Sequence, residues 1–190
     1  ADAARLWQHA ANSARRAKRP EEAQARLLVE LGGAHEVLAD HASAEAAYTE
    51  ALRLCAAEDR APIRVRLAWV AFRSDQLPLA KRRVTLAFKE ADTIPGVLGS
   101  AAVHTELLLL RAAVRSMEGD PAGSNDDALR AESDAAVIGR ADLRAEALLQ
   151  LALNADLTGV SDAEELSARA FTLLTATNKH YELAVLHGNI

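Results

Sequence analysis

Apolar residues along this chain recur in steps of three and four, the spacing that gathers side chains into one stripe of an α-helix. The pattern is clearest between Leu28 and Ala51, where Leu28, Leu31, Gly32 and His35 make one stripe and Ala44, Tyr48 and Ala51 make a second. Small residues at such positions let two helices approach closely, and Tyr48 is placed to fill the space between them. Gly32 and Gly33 sit inside the helical pattern and read as a close helix contact rather than a loop. The periodicity predicts helices over about 2–18, 22–38, 42–57, 62–74, 77–91, 97–118, 122–138, 141–157, 162–176 and from 179 onward. Pro20, Pro62, Pro95 and Pro121 fall between these segments or at their starts, where proline is tolerated. Asp120 before Pro121, Asp75 before Pro78, and Ser161 with Glu164 read as helix caps.

The second stripe recurs. Ala3, Trp7 and Ala10 share its spacing, as do Ala80, Val84 and Ala87 after Leu67 and Ala68. Ser124, Ala128 and Ala131 follow Leu108, Ala112 and the turn at Gly119 and Asp120; Ala163, Ser167 and Ala170 follow Leu148, Leu151, Ala152 and Ala155, one residue out of register. The leading small residues Ala3, Ala44, Ala80, Ser124 and Ala163 are 41, 36, 44 and 39 residues apart, so the repeat averages about 40.

A bulky residue, Leu, Gly and a ring on one helix, followed by Ala, an aromatic and Ala on its partner, resembles the tetratricopeptide (TPR) motif. The resemblance implies an all-α fold, a right-handed superhelical stack of about ten helices in antiparallel pairs. It divides a single domain over 1–190 into the second helix of a pair (1–19), pairs over 20–57, 58–93, 94–138 and 139–177, and the first helix of a further pair (178–190). Repeats of this length, rich in Ala, Arg and Leu, look like the helical regions of large bacterial regulatory ATPases, transcriptional activators and ATPase-linked nucleotide cyclases. An opening Ala and an interrupted final helix are expected of a piece of a longer protein, with end faces that are capped or self-associate.

Composition agrees with an all-helical reading: half of the residues are apolar, 26% are charged, and Ala, Leu, Arg and Glu dominate over strand formers. A formal charge of −5, from 22 basic and 27 acidic residues, gives the whole chain no long-range pull toward nucleic acid or an anionic membrane. Apolar runs such as Leu107 to Leu110, between Glu106 and Arg111, fall far short of the ~18 residues that cross a bilayer. With no signal peptide at the start, a cytoplasmic setting is expected.

Motifs for chemistry are missing. The glycines are not spaced to wrap a phosphate, and no Ser lies in a hydrolase elbow. Cys55 is the one cysteine and reads as a small core residue without an activating His. His9, His35, His41, His104, His180 and His187 include no pair three or four apart, so no metal site and no cofactor are expected; His35 reads as a packed ring. The acidic pairs Glu21–Glu22, Asp126–Asp127 and Glu164–Glu165 suit first helical turns, and Arg15, Arg16, Lys18 and Arg19 suit a helix C-terminus.

What the resemblance leaves is a binding face. In stacked helix pairs the first helix of each pair lines the inner surface, which by resemblance is faced by residues one and five beyond the packing glycine position: Gly33, Val37, Trp69, Arg73, Ala113 and Met117, joined by Glu36 and Phe72. Trp69, Phe72 and Arg73 form the most ligand-like group, because aromatic and Arg side chains concentrate contact energy; packing within the core is the competing reading of both rings. Two functions follow: a protein-interaction scaffold that holds a protein, a peptide or a neighbouring domain, and, alternatively, a sensor that binds a small effector on the inner face. Catalysis is not expected.

Overall fold

A computed structural model describes residues 2–92, 97–159, 162–177, 182–183 and 185–186, with the side chains of 97–100 outside the description. Among the described residues there are nine α-helices and no strand: α1 Asp2–Arg16, α2 Glu21–Val37, α3 His41–Leu54, α4 Arg60–Arg73, α5 Leu77–Ala91, α6 Val97–Met117, α7 Pro121–Val137, α8 Ala141–Thr158 and α9 Ala163–Ala176. A short 3-10 turn, Ala57–Asp59, leads into α4. The third helix stops at Leu54 rather than 57 because the chain turns here, and Pro62 falls inside the first turn of α4. Of the expected tenth helix, Glu182, Leu183, Val185 and Leu186 are described and helical. The boundary at Pro95, the capping residue Ser161, and His180 and His187 lie outside the described residues.

Three-residue loops join α2 to α3, α4 to α5, α6 to α7 and α7 to α8, too short for anything but antiparallel neighbours. They share one design. The residue at the middle of each loop, Ala39, Asp75, Gly119 or Gly139, takes the left-handed conformation, and the N–H after it donates back five residues: Asp40 to His35, Gln76 to Ala71, Asp120 to Arg115 and Arg140 to Ala135. This closure satisfies carbonyls that a helix end leaves open. Asp40 and Asp120 then cap the next helix, accepting from the N–H of Ser43 at 3.1 Å and of Gly123 at 2.9 Å. Asp75 corrects the sequence reading. It ends α4 with φ 58° instead of capping α5, and Gln76 takes the cap position without a side-chain bond.

Packing follows chain order within two compact units, residues 1–95 and 96–190. In the first, α1 meets α2, α2 pairs with α3, α3 meets α4 and α4 pairs with α5; in the second, α6 pairs with α7, α7 packs on α8, α8 pairs with α9, and α6 also touches α8. Gly32 shows why the α2–α3 pair closes: a Cβ there would lie 2.5 Å from Cε1 of Tyr48, whose ring is 1% exposed. In the α6–α7 pair the knob is small on both sides, with Ala112, Ser124, Ala128 and Ala131 wholly buried. Ala68, Ala80, Val84 and Ala87 play the same part between α4 and α5.

One stripe sits one residue away from where periodicity alone puts it. On α1 the buried positions are Ala4, Ala11 and Ala14, while Ala3 is exposed and Trp7 and Ala10 are half-buried. On α9 the expected stripe faces inward, with Ala170 and Leu174 buried and Ala163 and Ser167 half-buried. Among the described residues α1 packs on α2 alone, so which of its faces turns inward is set by that one contact. No described helix is long and apolar enough to cross a membrane.

Candidate functional site

Near the C-terminal ends of α2 and α4 the first unit holds six of the eight expected face residues, Gly33, Glu36, Val37, Trp69, Phe72 and Arg73. Arg73 Nη1 donates to Glu36 Oε2 at 2.7 Å, and the Tyr48 hydroxyl donates to Glu36 Oε1 at 2.5 Å. The Arg73 guanidinium also lies 5.2 Å over the Trp69 ring, and Trp69 meets Phe72 edge-on at 5.8 Å and 87°. Glu36 therefore points into a contact between helices. With its side chain 9% exposed and both oxygens engaged, it is a buttress that aims Arg73, not the open groove residue expected from its position. Burial, reinforced by the Glu36 carboxylate, pushes the Tyr48 hydroxyl far above its ordinary pKa, so it stays a donor. Trp69 and Phe72 are half-buried. A cation stacked on an aromatic face and held by a carboxylate is a preorganised contact, since the rotamers of Arg73 are already restricted before anything binds.

The position five beyond the packing residue has a consistent character. Val37 is 88% exposed on α2 and Met117 is 65% exposed on α6; the equivalent residue on α8, Leu157, is 72% exposed, although the sequence reading did not single it out. Arg73 holds this position on α4. The position one beyond is more varied: Gly33, Trp69 and Leu153 are half-buried, and Ala113, expected on the binding face, is buried at 8% because α7 and α8 both close on α6.

The second unit carries polar clusters that periodicity did not reveal. Arg111 donates to both oxygens of Asp127 at 2.8 and 2.6 Å, and Arg115 Nη1 reaches the same carboxylate at 2.9 Å and the carbonyl of Gly123 at 3.0 Å. Ser124 donates to the Ala112 carbonyl at 2.8 Å; Asn154 on α8 donates to Ser124 and Asn125 and accepts from Ser116 at 2.9 Å and Gln150 at 3.1 Å. Ser124, Asp127 and Asn154 are buried yet satisfied, which fixes one register between α6, α7 and α8. A signal for the pairwise contacts was present: Arg115 to Asp127 and Glu36 to Tyr48 are 12 apart, and Arg111 to Asp127 is 16 apart, the offsets that separate Gly32 from Ala44 and Tyr48.

His35 is the packed ring expected of it, with Nδ1 3.2 Å from Asp40 Oδ2. Hydrogen bonds from Ser43, with His35 nearby, hold the Asp40 carboxyl below its usual pKa. Cys55 is half-buried, its thiol directed at the Leu52 carbonyl at 3.6 Å and pushed up in pKa by burial, the reverse of an activated nucleophile. Among the described residues no three His, Cys, Asp or Glu side chains gather as metal ligands would. A scan against protein-family models finds no family that matches the chain, and a search of curated proteins finds no match either.

Proposed function

We propose that this chain is a protein-interaction module built from TPR-like helix pairs, a regulatory part of a larger cytoplasmic bacterial protein, and that each of its two units binds a protein or peptide on the faces of its own first helices. The observation that carries this reading is the recurrence of an exposed apolar side chain at one register position, Val37, Met117 and Leu157, in helices whose other apolar residues are largely buried. Surface exposure of a large apolar residue is ordinary when single; repetition at one register position in three of the four first helices is the pattern of a contact surface. The Arg73–Trp69–Phe72 group adds a held cation with an aromatic partner, the side-chain types that dominate binding energy at protein interfaces.

The reading is tested by selecting peptides from a displayed library against the chain and measuring the selected peptides by calorimetry. Trp69→Ala should weaken binding of peptides held by the first unit, and Leu157→Glu binding of those held by the second, at least about tenfold, as expected for a contact residue worth more than ~1.4 kcal/mol. Leu86→Glu and Leu129→Glu, on exposed faces of second helices, should change it less than about threefold. Peptides that respond to Leu86 or Leu129 and ignore Trp69 and Leu157 would place the binding surface elsewhere.

A further inference from the structure

The second unit holds a cleft between α8 and α9 that shares Leu153 with the contact face described above and otherwise uses different residues. It has a volume of about 670 Å³ and is walled by Ala152, Leu153, Phe171 and Leu186, with Asp156 and Glu164 in its lining. That volume lies in the range of small-molecule sites. The Phe171 ring is 44% exposed, so a face or edge of it is open to a ligand.

Charge sets the kind of ligand. Residues 96–190 carry 7 Lys and Arg against 14 Asp and Glu, a net −7, whereas residues 1–95 carry 15 against 13, a net +2. Several carboxylates of the second unit are matched: Asp127 by Arg111 and Arg115, Glu132 by Arg144, and Asp142 by Arg140. Asp156 and Glu164 have no ion-pair or hydrogen-bond partner for their side chains among the described residues, and the described residues of the cleft lining include no Lys, Arg or His. An apolar hollow with an aromatic wall and two unmatched carboxylates, in a unit of net negative charge, attracts an organic cation and disfavours an anion.

We infer that this cleft binds a small organic cation, an ammonium carried on an apolar body, with the body against Leu153, Phe171 and Leu186 and the charge toward Asp156 and Glu164. The inference does not rest on the interaction reading, since neither Val37, Trp69, Arg73 nor Met117 lines the cleft.

Phenethylammonium is a suitable probe, with 2-phenylethanol as its neutral counterpart, in an amide-resolved NMR titration of the whole chain. The expected result is saturable shifts confined to amides of α8 and α9 with a Kd on the order of 1 mM. Exposed carboxylates contribute about two- to fivefold each, so the Asp156→Asn/Glu164→Gln variant should bind about tenfold more weakly, with the loss shrinking at high salt. Both residues are exposed and Glu164 lies in the first turn of α9, so the variant should lower the Tm by no more than a few degrees, and Phe171→Ala should weaken the cation and the alcohol alike. Equal binding of phenethylammonium and 2-phenylethanol would overturn the proposal, as would no shifts at about ten times that concentration. The same amides moving instead with protein concentration, or with a basic helical peptide while phenethylammonium is inert, would overturn it in favour of a second copy or a protein occupant.

Discussion

Adjacent glycines on α2 offer opposite responses to one perturbation. In a helix interior, Gly→Ala gains about 1 kcal/mol from reduced backbone entropy and better propensity. At Gly33 the new methyl would meet only the Tyr48 hydroxyl at 3.8 Å, so Gly33→Ala should stabilise the first unit by about 0.5–1 kcal/mol. At Gly32 the methyl would lie 2.5, 2.7 and 2.8 Å from three ring carbons of Tyr48. That ring is 1% exposed and its hydroxyl is held by Glu36, so it has nowhere to retreat. Overpacking of this kind costs about 1–3 kcal/mol, and contacts this short belong at the upper end; after the propensity gain, Gly32→Ala should destabilise by about 2 kcal/mol. Trp7 and Trp69 are the two tryptophans and both lie in residues 1–95, so tryptophan emission during urea unfolding reports this unit. In a Tyr48→Ala background the clash is gone and Gly32→Ala should become neutral or stabilising, a coupling of about 2–3 kcal/mol. Shifts of the same sign for Gly32→Ala and Gly33→Ala, or no coupling to Tyr48, would refute the close-packed pair.

Two further outcomes follow from the polar contacts. Tyr48 has a folded pKa raised above its unfolded value, so its contribution is fully present below about pH 10 and is lost as pH rises beyond that, where the unfolded chain releases a proton that the folded one keeps; urea midpoints above pH 10 should fall more steeply for wild type than for Tyr48→Phe. Asp127→Asn leaves Arg111 and Arg115 facing a neutral amide in a site where the Asp127 side chain is 6% exposed. Since both arginines keep about a third of their surface in water, the loss should be about 2–3 kcal/mol rather than that of a fully buried pair, seen as faster amide exchange in α6 and α7 with α2 and α3 unchanged.

Residues close in sequence explain which features were legible. The helices over 21–37, 77–91 and 97–117 lie within a residue or two of their expected spans, because a stripe of apolar side chains and a proline in a first turn are local signals. The Gly32–Tyr48 contact was legible for the same reason: with a three-residue loop between antiparallel helices, positions 12 and 16 apart must face each other. Val37, Arg73 and Met117 could be placed by counting from the packing residue. Leu157 was missed, although Ala152 provides the same count.

What the amino-acid order determined by itself is therefore the set of helices, the places where they end, and which ones pair. Tertiary structure decided the rest. Glu36 bonds to Arg73 at a separation of 37 residues, and Ser116 to Asn154 at 38, distances spanned only once one helix pair has settled against the next. Whether Glu36 turns outward or inward, whether Ala113 is covered, and whether α1 buries Ala3 or Ala4 all depend on the rotation and depth of that docking. Periodicity specifies a stripe about as wide as a helix face, and two faces can slide or rotate against each other by a residue without changing it; side-chain shape and paired charge, acting across elements far apart in the chain, select one arrangement.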